Sequence, residues 1–232
     1  LELQGLPRGP ARRSGAAERA VAAALLRIGS LLPLDARTIE TAVTSAIEQR
    51  AERVLADVPG WIWDGDRLPV PVEHIADSCF GLHVRDVEDL RTAPGVPELP
   101  EARGLSGLLL PSLGEIWVNA AEARDWPPRR RFTIGHELGH WCLHRTAGAV
   151  WCRSHTVDPA DATDAETSLR RAYPPEESEA NEFAAALLMP AHLVRRHYER
   201  LRRRDPDGCF QQLCRIFGTS GAAMSRRLRR VV

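Results

Sequence analysis

Apolar residues recur at helical spacing over residues 38–57, which predicts an amphipathic helix with one face against a core. The positions that carry this pattern are Ile39, Val43, Ile47, Val54 and Leu55. Pro59 and Gly60 follow directly. Because both residues interrupt regular structure, they should end the helix.

A shorter helix and several strands are predicted next. Pro71 opens a short apolar stretch and Gly81 closes it, which is typical of a capped helix. Residues 82–84 then favour a strand, whereas the Pro- and Gly-containing segment 91–106 favours a loop. Two apolar runs follow, 107–110 and 115–119, and the Pro-Ser-Leu-Gly between them predicts a hairpin. We expect 115–119 to be the sheet edge that pairs with an extended substrate; an ordinary strand is an equal alternative.

Two longer helices should carry the chemistry. The first begins near Pro127 and Pro128, a favourable helix start, and its apolar positions are Phe132, Ile134, Leu138, Trp141 and Leu143. The second lies between Pro175 and Pro190 and has an Ala-rich apolar face that allows close helix packing. Three more helices are predicted after Pro190: residues 191–204, and two short ones around 217–220 that resemble a helix-turn-helix.

The first of these helices contains a His-Glu-x-x-His motif, formed by His136, Glu137 and His140. Residues four apart share a helix face, so both imidazoles can reach one zinc ion. Glu137 lies at the flank, where a carboxylate can accept a proton from the attacking water. The motif therefore predicts a metallopeptidase; the alternative is an amphipathic helix with satisfied core histidines.

A catalytic zinc site needs a third protein ligand. His144 is an unfavourable choice, because it lies about 12 Å beyond His136 along an unbroken helix; it remains a possible accessory residue. Glu177 is the better candidate, with Asn181 one turn later on the same face. Asn181 can bind the second ring nitrogen of a ligand histidine. An acidic helix start, favoured by the helix dipole, is the alternative interpretation of these carboxylates.

The two motifs together resemble the ImmA/IrrE metallopeptidases: Arg131–His144 reads RFTIGHELGHWCLH, and the second helix reads E-x-E-A-N-x-F-A-A-x-L-L-M-P from Glu177. The resemblance extends more weakly over residues 38–230. It implies an α+β fold: a compact zincin-like domain with a small sheet or hairpin beside the His-Glu-x-x-His helix and a mostly helical C-terminal part. It implies a Zn²⁺ cofactor held by His136, His140 and Glu177, with Glu137 as the base. The implied substrate is a helix-turn-helix repressor in a bacterial or phage regulatory circuit.

The resemblance and the local patterns together suggest three regions. Residues 1–36 should form a weakly ordered extension, 37–190 the peptidase domain, and 191–232 C-terminal helices packed on that domain. The connection 146–173 is longer than the family's usual one and can act as a lid or specificity loop. Within it, Cys152 or His155 can block the open zinc position, although a structural cysteine is the more ordinary interpretation. His144, His155 and Tyr173 are candidates for the group that stabilises the oxyanion, and the sequence does not distinguish among them.

Composition narrows the function classes. Lys and Arg number 31, equal to Asp and Glu, so overall charge predicts no nucleic-acid partner. Residues 190–232 are locally basic, with eleven Arg against three acids, whereas 158–182 are acidic. The basic end can contact DNA or dock on the acidic segment, but a solvated helix face is favoured. The five cysteines are scattered and suggest no disulfide framework, so we expect a protein of the reducing cytoplasm. The sequence contains no apolar run long enough for a membrane span, and we expect no signal peptide.

Two other function classes stay open. A DNA-binding regulator could keep the zinc site as a structural element and use its basic C-terminus. A non-catalytic interaction module, such as one half of a toxin–antitoxin pair, could bind a partner without cutting it. The intact Glu137 argues against both, because a structural site needs no base.

Overall fold

The computed structural model describes residues 36–94, 105–144, 150–153 and 175–232. The chain divides into two units, Leu1–Val43 and Thr44–Val232. The packing described below belongs to the second unit.

Helices and a small sheet together give an α+β fold, as the sequence predicts. The helices in the described part of the chain are α1 (Ala36–Ala56), α2 (Val72–Phe80), α3 (Ala120–Asp125), α4 (Pro127–Leu143), α5 (Pro175–Leu188), α6 (Ala191–Arg204), α7 (Cys209–Phe217) and α8 (Gly221–Val231). The strands are β1 (His83–Val87), β2 (Leu105–Leu110), β3 (Glu115–Asn119) and β4 (Val150–Arg153). A 3-10 turn covers Leu90–Thr92. No helix in these ranges is long and apolar enough to cross a bilayer.

Local signals set most helix boundaries. Gly81 ends α2 with a φ of 65°, a left-handed conformation that glycine adopts without strain. Asn119 begins α3, because its side chain accepts hydrogen bonds from the backbone N–H groups of Ala121 and Glu122. Pro127 stands at the first position of α4, where its missing N–H costs nothing. The predicted helices that end at Gly81 and begin at Pro127 are confirmed, whereas α3 was not predicted.

The four strands form one sheet in the order β1-β3-β2-β4. β2 and β3 are the predicted antiparallel hairpin, and β1 pairs with β3 in parallel. The expectation that 115–119 forms a substrate-binding edge was wrong: β3 is flanked by β1 on one side and β2 on the other, so both its edges are already paired. β4 lies in the predicted long connection and pairs antiparallel with β2.

The main core contains residues from one face of the sheet and from α4, α5 and the C-terminal helices. Leu109 and Ile116 are opposite each other in the β2–β3 register and both contribute to this core. The neighbouring pair, Leu108 and Trp117, contributes instead to a second, smaller cluster. Because successive side chains of a strand point to opposite faces, these two clusters lie on opposite faces of the sheet, and apolar residues are buried on both. The C-terminal helices contribute Leu201, Leu213, Phe217, Met224 and Val231 to the main core.

A buried arginine connects α8 to two other parts of this unit. Arg227 is 4% exposed and pairs with Glu48 of α1 through two hydrogen bonds, at 2.7 and 2.5 Å. Its Nε also donates to the backbone carbonyl of Met189, at 2.8 Å. This contact holds the last helix against the end of α5.

Candidate metal centre

Helix α4 places the three residues of the motif in the protein interior. His136 and His140 are 2% and 3% exposed, and Glu137 is fully buried. The two histidines are one helical turn apart, and their Nε2 atoms lie 3.0 Å from each other. Both rings therefore present the same nitrogen to one point.

Small residues allow α5 to approach α4 closely. A Cβ atom added at Gly139 would lie only 2.9 Å from the Cα of Ala180 and 3.0 Å from its carbonyl oxygen. One turn earlier, a Cβ at Gly135 would lie 3.4 Å from the Cβ of Ala184, which is an ordinary contact. Glycine is thus required at 139 for the observed separation of the two helices.

This approach brings Glu177 of α5 to the two imidazoles. Its Oε2 is 3.3 Å from the Nε2 of His136, and its Oε1 is 3.3 Å from the Nε2 of His140. The three residues form the one His/Cys/Asp/Glu group in the described ranges whose donor atoms are close enough to hold a metal ion. A His-His-Glu cluster able to bind a metal is therefore present.

The donor geometry fits a zinc ion. Ligand atoms about 2.0–2.1 Å from a tetrahedral zinc are about 3.3–3.4 Å from one another. The three separations here, 3.0, 3.3 and 3.3 Å, are close to that value. Two nitrogens and a carboxylate are also the donor types of catalytic zinc sites.

The pKa values favour the forms that bind a cation. Burial alone would raise the pKa of Glu177, but the contacts with His136 and His140 outweigh it and lower the pKa to about 2. Burial also lowers the pKa of His140, although the Glu177 carboxylate opposes the shift. At neutral pH Glu177 is therefore ionised and His140 keeps a lone pair.

Asn181 lies where the helical spacing suggests. Its Oδ1 is 3.0 Å from the Nδ1 of His136. Because an amide oxygen only accepts hydrogen bonds, His136 carries its proton on Nδ1, so the lone pair on Nε2 can coordinate a metal.

His144 is outside the three-residue cluster but contacts it. It caps the C-terminus of α4, and its Nδ1 lies 3.1 Å from the Nδ1 of His140. Its Nε2 lies 2.9 Å from a carboxylate oxygen of Glu179. Helical spacing places Glu179 on a different face of α5 from Glu177 and Asn181, so the sequence offers no signal that it would reach His144.

Gly107 is a second residue that sequence reasoning missed. It lies in β2, and a Cβ there would overlap the side-chain methyl of Thr133 and lie 3.1 Å from Oε1 of Glu137. Glycine therefore leaves room for the Glu137 carboxylate between sheet and helix. A glycine inside a strand is the sequence signal of such a close approach.

Three residues that the sequence suggested for the site cannot be compared with this geometry. His155 and Tyr173 lie outside the described residues, and so does the side chain of Cys152, whose backbone belongs to β4.

Comparison with known proteins identifies the family. Residues 115–229, which include α4, α5 and the cluster, match the Peptidase_M78 family, described as the IrrE N-terminal-like domain. Residues 115–229 thus form a metallopeptidase-like domain of this family. The resemblance seen in the two sequence motifs is confirmed.

A solved structure and the curated proteins complete the comparison. A Mycobacterium tuberculosis transcriptional regulator is similar over 81% of this chain, with 19% identity and a TM-score of 0.44. The chain spans 46% of the length of that regulator. The curated proteins yield no significant match.

Proposed function

We propose that this protein is a zinc-dependent endopeptidase of zincin-like architecture. The observation that carries the proposal is the convergence of His136, His140 and Glu177 on one point, with donor separations of 3.0–3.3 Å. Glu137 follows His136 in the sequence, and its side chain is buried like those of the two histidines. A structural metal site would need the ligands but not this carboxylate.

Each residue has a distinct role in the proposed reaction. His136, His140 and Glu177 hold the ion, and Asn181 orients His136 through its Nδ1. A zinc ion there supplies Lewis acidity, which lowers the pKa of water and polarises the scissile carbonyl. Glu137 accepts the proton of the attacking water and returns it to the leaving amine.

The substrate class follows from the resemblance to ImmA/IrrE enzymes. We extend the proposal to a protein substrate, a helix-turn-helix repressor cut in an exposed linker, in the cytoplasm of a bacterium.

The basic C-terminus was the argument for a DNA-binding alternative. Some of its arginines form ion pairs with acidic residues of the same chain. Arg227 pairs with Glu48, and Arg230 contacts Glu182 of α5. The second of these contacts lies in the acidic segment 158–182. These contacts favour the peptidase over a nucleic-acid-binding role.

Metal content and turnover test the proposal together. Wild type, Glu177→Ala and Glu137→Gln are purified, supplied with zinc, dialysed and measured by elemental analysis. Each is then incubated with a random peptide library, and new termini are counted by mass spectrometry. We expect about one zinc per wild-type chain, much less in Glu177→Ala, and zinc without cleavage in Glu137→Gln.

Glu176→Ala is the matched control, because it removes an exposed carboxylate one residue from Glu177. It should bind zinc and cleave peptides as wild type does. A folded wild type that takes up no zinc would overturn the proposal. So would a Glu137→Gln variant that cleaves at the wild-type rate.

A further inference from the structure

We infer that His144 and Glu179 are positioning residues, a hydrogen-bonded relay that holds His140 in its metal-binding tautomer. The inference rests on the proposed metal site and adds residues to it. Three groups from two helices form the relay: the imidazoles of His140 and His144 at the end of α4, and the Glu179 carboxylate on α5.

The direction of the relay follows from its acidic end. An ionised carboxylate only accepts hydrogen bonds, so the 2.9 Å contact requires that the Nε2 of His144 carries a proton. In the relay that we infer, His144 is a neutral imidazole with one N–H group, so its Nδ1 is an acceptor. The 3.1 Å contact between the two Nδ1 atoms therefore requires that His140 donates from Nδ1.

This assignment leaves the Nε2 of His140 without a proton. The same atom is 3.0 Å from the Nε2 of His136 and 3.3 Å from the Glu177 carboxylate, so its lone pair points to the proposed ion. The amide oxygen of Asn181 fixes His136 in the same tautomer, by a direct contact with its Nδ1. Both ligand histidines are thus fixed by a partner on α5, one directly and one through His144.

Burial makes the relay effective. The His144 side chain is 10% exposed and that of Glu179 is 34% exposed. Water therefore competes weakly for His144, and the hydrogen bonds to its two nitrogens decide which tautomer is stable. The partners of ligand histidines typically contribute about 10–100-fold to metal affinity.

The chain offers a control pair of the same chemistry. His83 and Asp77 form an imidazole–carboxylate contact of 2.6 Å, but their side chains are 72% and 50% exposed. Asp77→Asn removes this carboxylate from a His–acid pair outside the cluster. The variant reports any general effect of losing such a pair.

Zinc affinity, measured by competition with a chromophoric chelator, is the first test. His144→Leu and Glu179→Ala should each weaken binding about 10–100-fold. His144→Asn should restore most of the affinity, because its amide oxygen can accept from His140 where Nδ1 did. Asp77→Asn should bind as wild type does. Unchanged affinity in both disrupting variants would overturn the relay, as would a His144→Asn variant as weak as His144→Leu.

The nitrogen chemical shifts of the His140 ring in the zinc-free protein are the second test, and they need no metal. Wild type should show a protonated Nδ1 and a bare Nε2, and His144→Leu should show a mixture. A wild-type ring protonated on Nε2 would overturn the inference. Failure of the proposed function is a separate result, because wild type would then bind no zinc while the ring tautomer could still be read.

Discussion

The close contact of α4 and α5 makes a quantitative prediction about two glycines. Gly135→Ala and Gly139→Ala each add one methyl group to the same helix, facing the same partner. Both gain about 0.8–1.0 kcal/mol of helix propensity, so this effect cancels between them. The difference in their free energies of unfolding therefore reports the room available at each position.

The structure predicts the sign and size of that difference. At Gly139 the new methyl would meet backbone atoms of Ala180 at 2.9 and 3.0 Å, whereas carbon atoms prefer about 3.5–4.0 Å. At Gly135 the nearest atom is the Ala184 methyl at 3.4 Å. Overpacking costs about 1–3 kcal/mol, so Gly139→Ala should be less stable than Gly135→Ala by that amount.

Urea unfolding of the zinc-free variants measures the difference, and chelator competition measures zinc affinity. The shift of α5 that Gly139→Ala requires occurs beside Glu177, so this variant should also bind zinc more weakly, whereas Gly135→Ala should not. Equal stability of the two variants would refute the reasoning about backbone contact. Lower stability with unchanged zinc affinity would refute the link between helix separation and ligand geometry.

Three further predictions concern other contacts. Glu48→Ala should destabilise the fold by about 1.5–3 kcal/mol in urea unfolding, because it leaves the buried Arg227 without its charged partner. Glu73 has a pKa lowered by its hydrogen bond with Arg130, against the opposing effect of burial. The stabilisation from this ion pair should be present at pH values above the pKa of Glu73 in the unfolded chain. It should be lost as pH falls through the lower pKa of Glu73 in the folded protein. Glu73→Gln should therefore flatten the acid side of a stability–pH curve, by less than about 1 kcal/mol for such an exposed pair. Gly107→Ala should lower turnover more than zinc content, since its methyl would intrude on the base and not on the ligands; equal losses would contradict this.

Local sequence signals predicted much of the fold. The capped helix between Pro71 and Gly81, and the helix that begins at Pro127, depend on residues close together in the chain. The same holds for the motif histidines, since a one-turn spacing on a helix defines their geometry. The spacing of Glu177 and Asn181 likewise predicted that both lie on one face of their own helix.

Contacts between distant residues were not predictable in this way. The strand order depends on which strands meet after long connections, and neither β3's interior position nor the pairing of β4 has a local signal. Glu179 reaches His144 across 35 positions of sequence. The charge pattern of a helix shows that a carboxylate is present, but not which group on another helix it will contact.

The glycine and alanine residues between α4 and α5 have one more consequence, for the entropy of metal binding. Gly135, Gly139, Ala180 and Ala184 have no side-chain rotamers to lose, so this contact has one arrangement and loses no side-chain entropy. The separation of the two helices that carry the ligands is then set largely by backbone atoms at this contact. We expect the helix pair to keep its spacing when the ion leaves, so that zinc binds to a site formed in advance.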